Sequence, residues 1–557
     1  MPPLPGDEAR FVQAAREMRE RDDWVVPTVG GVARYDKPIL IYWLLAASHA
    51  VLGDTPAAAR LPSIFAAALT VGLVAWWARR RWGPRAGLTA GGLLAVTCVF
   101  QVEARAATAD AVLLFPTVAA LLGLERLYRG EGGLAARLAL WLGLGVAVLA
   151  KGPVGPAVAV MTAMAAWGLN RSWRGWELWG LGVVLLVGWT TLGPLALAAP
   201  VAYALVHTVR DPDGRRRLGG LGAAWGVPLA AALVLPWAVA AYVATDGEFF
   251  RAAVGRHVVT RALTALEGHG GVPGFYLVTG AVAAFPWFAL LGPAIGPRLG
   301  RLREDDATRF LVAWLLGPLI LLELARTKLV HYWLPAYPAG VLLVTAWLFR
   351  PGVPARSSAW AGAAARWLTV IAGLALASAP AAVAVHFGLG DLLRPALVAA
   401  LPLLVGLLAF ARTARSRLGH GTASLALGAA LHLAILAGAY LPRLSGAVVE
   451  RRAARALIAA RSPEEAVVVY RGRAADALVA LPLGSTVCQV PACVEGQVAA
   501  RGRVVGLASG RDLAELRRGA PHLRVAWLAV VTGLDLVHGR WEGWIVFRAD
   551  REEESPT

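Results

Sequence analysis

Between residues 59 and 442 the sequence repeats one pattern: apolar runs about as long as a bilayer is thick, separated by short loops. A helix advances about 1.5 Å per residue, so roughly 17–25 apolar residues cross the hydrocarbon core. Such runs fall at 59–80, 86–102, 108–128, 134–150, 152–169, 177–193, 195–209, 219–245, 272–292, 307–325, 331–349, 360–388, 393–412 and 420–442. No water inside a bilayer satisfies backbone polar groups, so each run must satisfy its own as a helix. The pattern predicts an α-helical polytopic membrane protein of about 12–14 transmembrane helices. The stretch 177–209 reads as two crossings, because Gly193-Pro194 and Pro200 interrupt it.

The formal net charge is +18, which in a soluble chain would point to nucleic acid. Here the arginines sit in alternate loops: "RRRWGPR" (79–85), Arg126 and Arg129, Arg171 and Arg174, "RDPDGRRR" (210–217), "RLGRLREDDATR" (298–309) and "RTARSR" (412–417). The positive-inside rule places that set in the cytoplasm, and no nucleic-acid partner is expected. The remaining loops and both termini then face outward. Residues 1–58 form an extracytoplasmic juxtamembrane stretch of loop and helix. Residues 59–442 form the membrane domain, including an outer loop at 246–271. Residues 443–557 form a small extracytoplasmic α/β domain, with "AVVVYRG" and "RVAWLAVVTG" as strands and "GRDLAELRRG" as a helix. Cys488 and Cys493 in that tail are either a disulfide of an oxidising compartment or two free thiols.

The outward regions hold the chemistry-bearing residues. Of 54 basic residues only Lys37, Lys151 and Lys328 are lysine, and all three fall at outer edges of apolar segments. A lysine ammonium is a compact point charge suited to a phosphate oxygen. Chance placement is the bland alternative. The acids make a second set. Asp7 and Glu8 open an amphipathic helix over 8–21, Asp36 adjoins Lys37, and Asp110 starts a span in "ARAATADAVLLF". Such carboxylates serve as a general base or bind a divalent cation, with Asp36 and Asp110 the candidate metal ligands; the alternative is a solvated or dipole-favouring first-turn acid. Asp7, Asp110 and Glu8 are the candidate catalytic groups. The loop 246–271 carries Arg256, His257, Arg261 and His269, and its "FFRAAVGRHVVTRAL" stretch reads as an interfacial amphipathic helix; its basic residues could hold a lipid phosphate or headgroups in general. "RTKLVHYWLPAYP" (326–338) adds His331 and Tyr332, the latter also readable as an interfacial belt residue.

Several segments, taken in order, resemble a known family: the polyprenyl-phosphate-dependent glycosyltransferases of the GT-C type, in the branch of aminoarabinose lipid A transferases and protein O-mannosyltransferases. The resemblance rests on "PGDEARFVQAAREMRERDDWVVPTVGGVARYDKPILIYW", "ARAATADAVLL", "VLAKGPVGPAV", "LPWAVAAYVATDGEFFRAAVGRHVVTRALTALEGHGG", "FPWFALL" and "RTKLVHYWLPAYPAGVLL", all within residues 5–345. It implies a GT-C-like fold and an inverting transfer of a sugar from a polyprenyl-phosphate donor to a lipid A-like glycolipid, a glycan or a protein. The site would face the outside of a bacterial-type inner membrane. Asp7 and Asp110 match the family's outer-loop acids. Lys37, Lys151, Arg261, Lys328 and Tyr332 match positions around the donor phosphate. Asp36, Arg256, His257, His269 and His331 would line the site. The family's first transmembrane helix has no counterpart ahead of Asp7, and the segment 177–217 is longer than usual there.

A transporter or lipid flippase is the alternative reading, and a structural scaffold with the tail as binding module is a third. A transporter predicts charges at mid-membrane and internal repeats, whereas the charges here gather on one face.

Overall fold

The structure is a computed structural model that describes residues 7–170, 206, 209–210, 212–254, 271–272, 274–302, 304–349, 359–413, 418–471, 481, 485–536 and 538–551. The possible double crossing at 177–209 lies almost wholly outside the described residues. Among the described residues, eight helices are long and apolar enough to cross a membrane, or ten if two bent helix pairs each count as one crossing.

The N-terminal stretch folds on top of this bundle. Helix α1 (Asp7–Arg21) buries Phe11, Val12, Ala14, Ala15 and Met18 against helix α2 (Leu40–Leu52). At thirteen residues α2 is too short to cross a bilayer unaided. Between them, strands β1 (Thr28–Val29) and β2 (Val32–Ala33) make a hairpin whose turn glycines, Gly30 and Gly31, have φ of 63° and 78°. Glu17 of α1 pins that turn. Its carboxylate accepts from the Thr28 hydroxyl at 2.6 Å and from the backbone N–H groups of Gly30 and Gly31.

Helices α3 (Pro56–Trp82), α6 (Ala109–Tyr128), α7 (Leu134–Lys151) and α8 (Val154–Asn170) match the expected spans within a few residues. Helices α6 and α7 are antiparallel neighbours in close approach: a Cβ at Gly143 would lie 2.5 Å from the Pro116 carbonyl oxygen. Two expected spans are corrected. The run 86–102 is not one helix but α4 (Pro84–Ala95) and α5 (Cys98–Ala104), bent by 71°. Thr97 between them is extended, and its hydroxyl is taken up by the Leu93 carbonyl and the Trp287 indole. The run 272–292 likewise breaks into Phe275–Ala283 and a segment over 288–300, bent by 117°. Pro286 lies at that corner and has no N–H to continue the helical ladder. Residues Val330–Ala336 form a 3₁₀ turn, again containing a proline, before helix Tyr337–Phe349 begins.

The arginine-rich loops at 79–85, 126–129, 210–217 and 298–309 meet at one end of the bundle. Arg81, Arg129, Glu304 and Asp305 line one cavity there. Arg217 stacks on Tyr128 at the same end.

The tail is an α/β domain. Strands β3 (Ala466–Tyr470), β4 (Thr486–Cys488), β5 (Arg503–Ser509), β6 (Leu523–Asp535) and β7 (Arg540–Arg551) form one sheet in the order β4-β3-β5-β7-β6. Strands β4, β3 and β5 run parallel, and β7 runs antiparallel to β5 and β6. Helix Val449–Ala460 covers one face through Ala453 and Leu457. Helices Pro491–Arg501 and Gly510–Gly519 cover the other through Val494, Val498, Leu513 and Leu516. Cys488 and Cys493 are disulfide-bonded, which decides that alternative. Leu534 and Leu536 pack on Leu389, Leu392 and Tyr440 at the end of the bundle opposite the arginine loops.

Candidate functional site

The antiparallel pairing of α6 and α7 brings two distant residues together. Asp110 is in the first turn of α6 and Lys151 in the last turn of α7, so each charge also suits its own helix dipole. The Lys151 ammonium is in ion-pair contact with Asp110, and both side chains are mostly buried. The "KGP" triplet explains the local fold. Lys151 closes α7, Gly152 turns the chain at φ 62°, and Pro153 leads into α8.

The broken spans supply the walls. The Tyr332 ring lies 5.2 Å below the Lys151 ammonium. His331 stands against Tyr332 and is 3.6 Å from the Glu103 carboxylate at the end of α5. Glu103 also accepts from the Thr108 hydroxyl at 3.0 Å. A helix running straight through 86–102 would carry Glu103 away from this corner.

The N-terminal stretch closes the site from above. Arg34 is its hub, 3.0 Å from Asp36, 3.4 Å from Asp7 and 3.2 Å from the Tyr42 hydroxyl, with its guanidinium over the Phe11 ring. Burial works against the Arg34 charge, but Tyr42, Asp36 and Asp7 outweigh it and hold its pKa above the usual arginine value. Asp7 keeps 59% of its side chain exposed. Asp7 and Lys37 lie within electrostatic reach of His331, Lys37 also of Asp110, and Asp7 also of Glu103. The structure therefore brings Asp7, Asp36, Lys37, Asp110, Lys151, His331 and Tyr332 into one neighbourhood.

Two expected residues behave differently. Glu8 is buried and accepts from the Arg60 Nε and Nη2 groups, at 2.8 and 3.0 Å, and from the Ala107 N–H at 3.0 Å. The geometry gives it an anchoring part, tying α1 to α3 and to the loop before α6. Lys328 is also buried, donating to the Glu323 and Leu322 carbonyls and the Glu323 carboxylate. It lies 5.7 Å from the centre of the Tyr276 ring, and Tyr276 in turn neighbours Tyr332, so two rings stand between Lys328 and Lys151. Arg256, His257, Arg261 and His269 lie outside the described residues. Asp36 and Asp110, the metal candidates, are each held by a cation, and no group of three metal-ligating side chains occurs among the described residues.

Sequence reasoning missed Arg34 and Glu103. Arg34 is one arginine among many, and its role appears only when the hairpin folds it between two acids. Glu103 directly follows the run 86–102, which reads as an unbroken span; an acid at its edge was the available signal.

This arrangement stands in a fold already known. The structure superposes on ArnT from Cupriavidus metallidurans bound to undecaprenyl phosphate with a TM-score of 0.70 at 21% identity, covering 100% of this chain and 96% of that one. The chain is a membrane glycosyltransferase with a GT-C-like fold. The family model for dolichyl-phosphate-mannose-protein mannosyltransferases matches residues 36–193 of this glycosyltransferase. It is 27% identical over 465 residues to the undecaprenyl phosphate-alpha-4-amino-4-deoxy-L-arabinose arabinosyl transferase of Pectobacterium carotovorum, covering 82% of this chain and 75% of that protein. It is 30% identical over 331 residues to the enzyme of the same name from Pseudomonas aeruginosa, there covering 59% of this chain and 52% of that protein.

Proposed function

We propose that this glycosyltransferase moves a sugar from an undecaprenyl-phosphate donor to a lipid A-like glycolipid, with inversion, at the outer face of the inner membrane. The names of its relatives make 4-amino-4-deoxy-L-arabinose the first sugar to test. The observation that carries the reading is the lysine–acid neighbourhood of Lys151, Asp110, Lys37 and Tyr332 at the end of the bundle away from the arginine loops. The disulfide in the tail suits an oxidising compartment on that same side.

In this mechanism an acceptor oxygen attacks the anomeric carbon from the face opposite the phosphate. The bond from that carbon to the phosphate oxygen breaks, and polyprenyl phosphate leaves with the electron pair. Lys37 and Lys151 stabilise the charge that develops on the phosphate, so no strong acid has to protonate it. Asp110 holds the Lys151 ammonium in place until the phosphate arrives. Asp7, the most exposed of the acids, takes the acceptor proton. Where the acceptor is an ionised phosphate, no proton has to be removed and Asp7 only orients it.

The test is transfer in proteoliposomes containing undecaprenyl-phosphate aminoarabinose and a lipid A acceptor, read by the acceptor's mass. Gain of one glycosyl unit, lost in Lys37→Ala and Lys151→Ala, is expected. Transfer that survives both changes sinks the reading.

A further inference from the structure

Among the described residues, every acid around the donor site but one is paired with a lysine or an arginine. Asp110 holds Lys151, and Asp7 and Asp36 share Arg34. The exception is Glu103. Its Oε2 accepts from the Thr108 hydroxyl at 3.0 Å, and its Oε1 lies 3.6 Å from the His331 Nδ1. Its side chain is only 12% exposed, so little water stands in for a counter-charge. A carboxylate buried without a cation is costly, and an acid at the edge of a span is a functional group by default.

The broken span puts Glu103 where it is. Thr97 is extended between α4 and α5, and α5 packs against the 3₁₀ turn that carries His331 and Tyr332. Thr108, whose hydroxyl Glu103 accepts, is the extended residue that precedes α6. Glu103 is thereby fixed beside the first turn of α6, which carries Asp110.

The reaction says what passes this point. Glu103 lies within electrostatic reach of Lys151 and Asp110, and also of Asp7. In the proposed transfer Lys37 and Lys151 hold the leaving phosphate and Asp7 receives the acceptor. Inversion requires the anomeric carbon to lie between the leaving and attacking oxygens. A side chain within reach of both groups therefore stands level with the sugar ring. The sugar proposed above carries an amine at carbon 4. Its oxygen-bearing neighbours withdraw electrons, as at an α-amino group with a pKa of about 7.7–8.0, so it is largely protonated at neutral pH. An ammonium has three donors, and a carboxylate whose Oε2 serves Thr108 still has Oε1 to accept one of them. A hydroxyl in place of the amine would bring no charge and would leave the buried acid without its cation.

We propose that Glu103 is the specificity residue of the donor site: it pairs with the ammonium of an aminopentose and makes the enzyme prefer that donor to the corresponding hydroxy sugar. The inference rests on the proposed transfer reading and names one recognition contact within it.

The experiment uses the full-length protein in nanodiscs. Binding of undecaprenyl-phosphate aminoarabinose, of undecaprenyl-phosphate arabinose and of undecaprenyl phosphate is measured by native mass spectrometry, beside transfer in proteoliposomes. The parent should bind the amino donor more tightly than the hydroxy donor. Glu103→Gln keeps an acceptor for the Thr108 hydroxyl but carries no charge, so the ratio of the two affinities should fall about 10–100-fold. Glu103→Asp keeps the charge and should retain more of the preference. Undecaprenyl phosphate has no sugar, and its binding should not change in either variant. Equal binding of the two donors by the parent, or the parent's ratio in Glu103→Gln, would overturn the assignment. Loss of undecaprenyl phosphate binding in both variants would also overturn it, by making Glu103 a structural residue. Discrimination without transfer to lipid A would sink the transfer reading alone, and transfer without discrimination would sink the Glu103 assignment alone.

Discussion

Asp110 and Lys151 form a mostly buried pair at the edge of a membrane, and they separate folding from chemistry. Removing one partner of such a pair leaves an uncompensated charge and costs roughly 3–5 kcal/mol, whereas apolar replacement of both is often tolerated. Lys151→Met should therefore lower the melting temperature sharply. Lys151→Met with Asp110→Leu should recover most of that loss while transfer stays abolished. Recovery of transfer along with stability would remove the pair from the donor site. Lys37→Arg tests the point-charge argument: a planar guanidinium does not replace an ammonium packed on one oxygen, so turnover should fall at least about tenfold with folding intact. Asp7→Asn keeps size and polarity but loses the proton acceptor, and general base catalysis is worth roughly 10²–10⁴-fold. Donor binding should survive, since in this reading the lysines hold the phosphate. A much smaller loss of turnover would identify an acceptor that is already ionised.

At the scale of elements, the N-terminal stretch is a cap whose position is set by acids that do not react. Glu17 fixes the β1–β2 turn, and that turn delivers Arg34 between Asp7 and Asp36. Glu8 clamps α1 to Arg60 of α3 and to the Ala107 N–H two residues before α6. A double-mutant cycle of Glu8→Gln and Arg60→Ala should show a coupling of about 1–3 kcal/mol in stability. Transfer should fall by a similar factor in both singles and in the double. Additive effects would leave the clamp without energetic content. The amphipathic helix expected over 8–21 is found at Asp7–Arg21, because its apolar positions alone decide which face turns down. The two broken spans were illegible for the opposite reason: hydropathy averages over a window and registers length, not the extended Thr97 or the corner at Pro286.

At the scale of the whole molecule, charge sorts the two ends of the bundle, and the tail domain docks at the end away from the arginines through Leu534 and Leu536. Val29 of the hairpin packs both on the N-terminal cluster and on the sheet domain, so cap and tail share a boundary. The Cys488–Cys493 bridge closes a loop of only a few residues, for which chain entropy gives about 2 kcal/mol. Replacing both cysteines by serine should lower the thermal stability of the tail by about that amount and leave transfer unchanged, as read by scanning calorimetry beside the proteoliposome assay. A loss of transfer at full stability would make the tail part of the reaction.

The sequence by itself determined the class of molecule, because a long run of apolar residues satisfies its backbone in a bilayer as a helix. It also determined the tail's helix over 510–519 and its strands at 466–470 and 523–535, where periodicity and turn residues agree. It singled out Lys37, Lys151, Asp7 and Asp110 through their rarity and their outward edges. Only the tertiary structure decided that Asp110 meets Lys151, that Glu8 clamps instead of facing the site, and that Glu103 and Arg34 belong beside them. Those facts depend on which helices are neighbours and where two of them break. Such contacts join residues tens of positions apart, and no local pattern records the distance between them.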